Sequence, residues 1–252
     1  MGKYEDTPSV KIYAAAHRPC ALPPKIDQNI YEILQVGAEG NAYFSECRDN
    51  LGENISERNV LYNELTGLYW IWKNGKEDIV GLCHYRRFFV HGWGKAVNLL
   101  AGKNDGCIGK DYICNTLDRY DAIVHNVSMA FPSVEKHYCG HASLGYFACL
   151  KEAAAKTHPD DMDAFEQIMR GTKIHFLNMI VARRELISSY AEWLFDILFE
   201  TERRIADRYG RVPDREMGML GERLMDVWLL KEGVRVKECL AINTEKKTWK
   251  MW

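Results

Sequence analysis

Asp78–Phe89 reads DIVGLCHYRRFF, apolar at its start and polar towards its end. A strand of a parallel sheet shows this gradient when it carries functional groups at its carboxyl edge. Upstream, Val10–Ala16 (VKIYAAA) is a short apolar run that stops at His17-Arg18-Pro19, and it reads as a buried first strand feeding a loop. From Ser56, apolar residues recur at Leu61, Leu65, Leu68, Tyr69 and Trp72, the spacing of one helix face, until Lys73-Asn74-Gly75 ends the run. Further strands are expected at Asp121–Val124, Ile174–Ala182 and Val234–Cys239. Helices are expected across 141–156, at Glu185–Arg204 with Leu186, Tyr190, Trp193, Leu194, Ile197 and Leu198 inward, and at Met217–Leu230. Residues 20–57 read as loop with one short element at YEILQVGA, and 91–119 as an insertion or flexible loop that could act as a lid over a ligand. Alternation of strands and helices predicts an α/β sheet with helices on both faces. Ligands of such sheets bind beyond the carboxyl strand ends, which here points to His17 and to His84-Tyr85-Arg86-Arg87.

Composition narrows the function classes. With 252 residues, 47% of them hydrophobic, the chain can bury the core of one domain or two small ones. A net charge of -2 lacks the overall basic field of a dedicated nucleic-acid binder, so no nucleic-acid partner is expected. The eight cysteines contain no CxxC pair, which argues against a zinc ribbon or a disulfide framework and for free thiols in a reducing cytosol. No stretch approaches the roughly 20 apolar residues of a membrane span, and the first residues carry no apolar signal core. Asp6 stands where a myristoylation signal needs Ser or Thr.

Several motifs carry chemistry. If the chain turns within HYRRFF, Arg86 and Arg87 can present guanidinium forks to a diphosphate; otherwise one pairs with a carboxylate such as Glu64 and the other is solvated. Asp49, Asn50 and Asn54 gather ahead of the helix at Ser56, where they could read a base or sugar hydroxyls, or serve as plain turn residues. His137 and His141 stand at i, i+4, but Gly140 lies between them and no third zinc ligand is near. Asp161-Met162-Asp163 is a formal D-x-D at a helix start, better read as capping than as a cation site. HASLG at 141–145 misses the nucleophile elbow, and P-loop and G-x-G-x-x-G motifs are absent. Glu222 in GERL could be a general base, or an ion-pair partner of Arg223 or Arg215. The tail EKKTWKMW mixes lysines with Trp249 and Trp252, as suits an anionic membrane surface or a packed terminal strand.

The segments KIYAAAH, DNLGENISERNVLYNELTGLYWIWKN, GLCHYRRFF, NMIVARRELISSYAEWLFDILFETE and GMLGERLMDVWL, in that order, resemble a bacterial family catalogued as a domain of unknown function and met in capsular and exopolysaccharide biosynthesis, whose members are regarded as glycosyltransferases. The resemblance implies one glycosyltransferase-A-like (GT-A-like) domain over 10–240, between tails at 1–9 and 241–252, with a mixed, mostly parallel sheet flanked by helices. It implies a nucleotide-sugar donor, a UDP-sugar and galactose by first choice, and an acceptor hydroxyl on a growing surface polysaccharide or lipid-linked oligosaccharide. His17, Asp49, Asn50, Asn54, His84, Tyr85 and Asn178 then fall on the donor side, and His137, Tyr138 and His141 on the acceptor side. Glu222 takes the place of the base of inverting members. His84-Tyr85-Arg86-Arg87 occupies the place where such enzymes hold a metal through D-x-D. Fixed arginine cations would then replace it, with no metal or other cofactor required; a divalent cation such as Mn or Mg stays open as the alternative. The implied location is the cytoplasm, with peripheral contact at the inner membrane face through the C-terminal tail. A non-catalytic nucleotide-sugar or glycan-binding module of the assembly machinery is the competing reading, and a sugar-nucleotide hydrolase or phosphorylase a third.

Overall fold

The chain reverses at Tyr85-Arg86. Strand β3 (Ile79–His84) ends there, β4 (Arg87–Val90) begins, and His84 pairs with Arg87 across the turn. The single strand expected over 78–89 is therefore a hairpin, the arrangement that lets two adjacent arginines serve one side of the molecule. The structure, a computed structural model, describes residues 8–23, 26–92 and 106–245.

Strand β1 (Val10–Ala16) lies between β2 (Tyr31–Gln35) and β3, parallel to both. Its residues are buried almost without interruption, as expected of a strand covered on both faces. Beyond β3 the sheet changes direction. Strand β8 (Ile180–Arg183) runs antiparallel to β3 over Ile79–Leu82, β5 (Ala122–His125) antiparallel to β8, and β9 (Val236–Asn243) parallel to β5. Strand β4 then pairs antiparallel with β9, so β3, β8, β5, β9 and β4 close a circuit. Five of the seven strands share one direction, yet four of the seven ladders are antiparallel. The expected mostly parallel sheet is corrected to that extent, because β4 and β8 are inserted against the rest. A separate ribbon joins β6 (Ser128–Met129) to β7 (Lys173–Ile174). The strand expected over 174–182 is thus two short strands around an irregular loop.

The helix expected from Ser56 breaks in two. A 3-10 turn at Ser56–Arg58 leads into α1 (Asn59–Tyr62), and α2 (Leu65–Asn74) starts after Asn63 adopts a left-handed backbone at φ 51°. Segment 91–119 is not simply loop. It contains α3 (Lys110–Leu117), although its residues 93–105, on which the expected lid falls, lie outside the described residues. Then come α4 (Val134–Cys139), α5 (Leu144–Thr157), α6 (Met162–Arg170), α7 (Arg184–Tyr209) and α8 (Glu216–Lys231). Helix α7 buries Tyr190, Trp193, Leu194, Ile197 and Leu198 as its periodicity requires, with Ile187 rather than the half-buried Leu186 beginning the stripe. Phe195 and Phe199 of α7 meet Tyr62, Tyr69 and Trp72, with Trp72 and Phe195 stacked at 6.1 Å. Among the described residues no helix is long and apolar enough to cross a membrane. Positions 246–252 of the lysine–tryptophan tail lie outside the described residues.

Two glycines bring α8 against the first helices. A Cβ on Gly218 would sit 2.5 Å from the Asn63 amide nitrogen, and one on Gly221 2.6 Å from Leu65 Cδ1. The junction of β3 with β8 is equally close. A Cβ on Gly81 would lie 2.6 Å from Val181 Cγ2 and 3.1 Å from the Ile180 carbonyl oxygen, so the two strands would have to separate. Gly81→Ala is expected to destabilise the protein by about 1–3 kcal/mol, the usual penalty of overpacking. A lower denaturation midpoint with an unchanged slope would register it.

Candidate active site

The carboxyl ends of β1 and β3, the start of β4 and the approach to β8 all meet at one edge of the sheet. α8 and the α1–α2 break form the opposite wall. Between them lies a cleft of about 700 Å³, lined by four arginines, Arg18, Arg86, Arg87 and Arg215, and by Glu64, Glu222 and Asp214. His17, His84 and Tyr85 complete the sheet side. The volume is in the ordinary range of small-molecule sites.

The arginines divide the work of the cleft. Arg86, with a third of its side chain exposed, faces Glu245 at 3.6 Å. Arg87 is more enclosed. Burial and then the charge of Arg86 oppose its own charge, while Glu222 and Glu64 support it. The two carboxylates are in turn held by the loop ahead of β8. The Leu177 N–H donates to Glu222 Oε1 at 3.0 Å, Arg223 Nη1 donates to Glu222 Oε2 at 2.9 Å, and Asn178 Nδ2 donates to Glu64 Oε1 at 2.8 Å. Burial pushes both carboxyls above the usual glutamate range. For Glu222, Arg223 pulls in the opposite direction and Glu64 adds to the rise. For Glu64, the Asn178 bond, Arg215 and Arg87 pull it back. The His84 ring bonds the Leu177 carbonyl at 2.8 Å, and burial lowers its pKa to about 4. His17 is lowered first by burial and then by Arg18, Arg86 and Arg215, which reports the positive potential of the mouth.

Backbone strain concentrates here. Among the described residues, four non-glycines have left-handed backbone: Asn63, Leu177, Asn178 and Arg215. Three line the cleft, and the fourth, Asn178, holds Glu64 from behind. Each such residue costs on the order of 1–3 kcal/mol and persists only where its surroundings fix it. Here the fixing groups are the Leu177 bonds to Glu222 and His84 and the bond from the Arg215 N–H to the Val60 carbonyl at 2.7 Å.

Of the residues expected from sequence, Arg86, Arg87, Glu222, His17, His84 and Tyr85 come together in the cleft. Glu222 lines the cleft and pairs with Arg223. Asn178 does not face the cleft. It is buried and positions Glu64. Asp49 lies fully inside the protein, where its carboxylate accepts from the Gly37 and Ala38 N–H groups and from the Ser56 and Thr66 hydroxyls. Those four donors make it the knot of the loop ahead of α1, in place of the donor contact expected. Asn50 bonds Glu39 and Tyr43, and Asn54 closes a turn on Gly52 and Ser56, both away from the cleft. Tyr138, expected on the acceptor side, is buried outside the cleft lining, with its hydroxyl donating to Glu216. His137 and His141 meet edge to face with ring centres 5.0 Å apart, and His137 lies 5.5 Å from the ring of Phe176, which lines the cleft. Asp161 accepts from the Trp193 indole at 2.7 Å and pairs with Lys231, so the D-x-D serves the helix packing without capping it by a side-chain bond.

Arg18, Arg215, Glu64 and the Leu177 N–H were not singled out as site groups from sequence. Glu64 left a signal: it interrupts the inward stripe of Leu61, Leu65 and Leu68 at helical spacing, a carboxylate where an apolar residue is expected. The turn His84–Arg87 offers a divalent cation two guanidinium groups and a histidine already bonded to a carbonyl, a set poor in oxygen ligands. Among the described residues no three His, Cys, Asp or Glu side chains group as metal ligands.

Comparison with known proteins finds chains of similar sequence and fold. A family profile described as Domain of unknown function (DUF4422) matches residues 11–233. The apo structure of a bifunctional glycosyltransferase, WbbM, superposes with a TM-score of 0.77 at 26% identity over 92% of this chain. The chain spans 45% of the length of that structure. No protein of curated function matches.

Two measurements check the geometry. Asp49→Ala leaves four donors without their buried acceptor and is expected to cost about 3 kcal/mol or more, seen as a general loss of stability rather than a selective loss of ligand. The His84 imidazole should stay neutral by NMR until the pH nears about 4. Because its folded value lies below the unfolded one, its contribution to stability is complete above roughly pH 6.5 and declines as pH falls towards the folded value.

Proposed function

The chain belongs to the DUF4422 family, and from that membership, its likeness to a bifunctional glycosyltransferase and the charge layout of its cleft we propose that it transfers a sugar from a nucleoside-diphosphate sugar to an acceptor hydroxyl. The observation that carries the reading is that Arg86 and Arg87 share one cleft, at the carboxyl edge of the sheet, with the half-buried carboxylates Glu222 and Glu64. Glycosyl transfer needs both signs of charge: cations where the leaving diphosphate gains charge, and a base where the attacking hydroxyl loses its proton.

In the proposed step the acceptor oxygen attacks the anomeric carbon while the bond to the diphosphate oxygen breaks. The hydroxyl proton passes to Glu222, and Arg86 and Arg87 stabilise the departing nucleoside diphosphate. Glu222 suits the role because burial raises its proton affinity while the Leu177 N–H and Arg223 fix its direction. Glu64, held by Asn178, keeps a second carboxylate next to Arg87. His17 and Tyr85 flank the mouth, where the nucleotide would enter. This assignment describes transfer with inversion; a retained anomeric configuration in the product removes the base role from Glu222. A UDP-sugar is the first donor to test, with a surface glycan or lipid-linked oligosaccharide as acceptor.

The test is release of nucleoside diphosphate from donor and an acceptor extract, with and without manganese or chelator. Arg86→Ala is expected to lower kcat about 10²–10³-fold, as loss of an electrostatic donor does, and Glu222→Gln about 10²–10⁴-fold, as loss of a general base does, with both variants folded. Turnover is expected to persist in chelator. Because the Glu222 pKa is raised and its deprotonated form is the base, the acid limb of kcat/KM should have its midpoint above the ordinary glutamate value of about 4.3. Donor binding by the wild type with no turnover in any acceptor extract favours the non-catalytic module instead.

A further inference from the structure

The turn between β3 and β4 puts Tyr85 between two cations. The Arg18 guanidinium lies 5.4 Å and the Arg86 guanidinium 5.5 Å from the centre of its ring. Both converge on one carboxylate, Glu245, with Oε1 2.7 Å from Arg18 Nη2 and Oε2 3.6 Å from Arg86 Nη1. Glu245 is carried there by the end of β9. The Thr244 N–H donates to the Arg86 carbonyl at 2.9 Å, and the Glu245 N–H donates to Asn243 Oδ1 at 3.1 Å. The backbone thus delivers an anion to the mouth of the cleft, between Arg18 and Arg86.

From this geometry we infer that Arg18 and Arg86 form the diphosphate subsite and that Glu245 is its internal competitor, a carboxylate in the place of a phosphate that donor binding displaces. The inference rests on the nucleotide-sugar reading above and specifies how the phosphates are held. Two guanidinium forks around one anion suit a phosphate group at least as well as a carboxylate, and a diphosphate brings more charge. The contacts of Glu245 are open to water, with side-chain exposures of 54% for Arg18, 34% for Arg86 and 41% for Glu245. Ion pairs so exposed are weak, so an incoming diphosphate can exchange with the carboxylate at small cost. In the free protein the same contact keeps neighbouring cations neutralised and in register. Arg87, on the inner side and facing Glu222 and Glu64, is then left to the bond that breaks.

The alternative is that Glu245 merely organises the two arginines, and the sign of one substitution separates the two roles. Calorimetric titration of UDP, inorganic pyrophosphate and uridine into the wild type, Glu245→Gln and Arg18→Ala decides it. Glu245→Gln is expected to bind UDP and pyrophosphate about two- to fivefold more tightly, the scale on which partly exposed ion pairs act, with uridine unchanged. Arg18→Ala is expected to bind both phosphate ligands more weakly. Unchanged or weaker binding by Glu245→Gln, or a gain that extends to uridine, overturns the competitor role while the nucleotide-sugar reading stands. If wild type and variants, folded by circular dichroism, bind neither UDP nor pyrophosphate, both fall together.

Discussion

The reversal of the chain at Tyr85-Arg86 is the constraint on which the site depends. Had β3 continued, Arg86 and Arg87 would have pointed to opposite faces of the sheet, and one of them would have been spent on the covering helices. Because it turns, β4 returns beside β9, the circuit of five strands closes, and both cations arrive at the edge where β1 and β8 also deliver their functional groups. The hairpin also fixes Arg86 through its own carbonyl, which accepts from the Thr244 N–H at the end of β9.

The opposite wall is held by close packing and by charge. Gly218 and Gly221 allow α8 to approach the break between α1 and α2, which brings Glu222 opposite the hairpin. The loop ahead of β8 then spans the gap. Leu177 gives its N–H to Glu222 and its carbonyl to the His84 ring, while Asn178 reaches Glu64. This loop holds two left-handed non-glycine residues in succession, and a further pair, Asn63 and Arg215, lies on the facing wall. Backbone of this kind is maintained at a free-energy cost, and its concentration around one cleft is itself an argument that the cleft is where the molecule acts. Beneath the loop, His175 pairs with Asp226 of α8 at 2.6 Å and ties the strand side to the helix that carries Glu222.

The carboxylates illustrate how environment separates residues of similar chemistry. Asp49 is as buried as any residue in the protein, yet two backbone N–H groups and two hydroxyls satisfy it, and it stabilises a loop. Glu222 and Glu64 have fewer donors and line the cleft together with Arg87, and their partial burial raises their proton affinity. Asn178 and Tyr138 are likewise inward polar side chains, bonded to Glu64 and to Glu216 respectively.

Periodicity and punctuation in the sequence determined the alternating strands and helices, the first strand at Val10–Ala16, and the inward face of the long helix expected over Glu185–Arg204, which the structure extends to Tyr209 before left-handed Gly210. These are local properties, encoded by side-chain spacing over a few turns or residues. Tertiary structure alone decided the break at Asn63, the hairpin in place of one strand, the reversed insertion of β4 and β8, and the meeting of Arg18, Arg86 and Glu245 from three distant segments. The reason is physical. A left-handed asparagine or a two-residue turn carries no period of its own, and whether a carboxylate is saturated, paired or poised depends on donors that lie tens to hundreds of residues away in the chain.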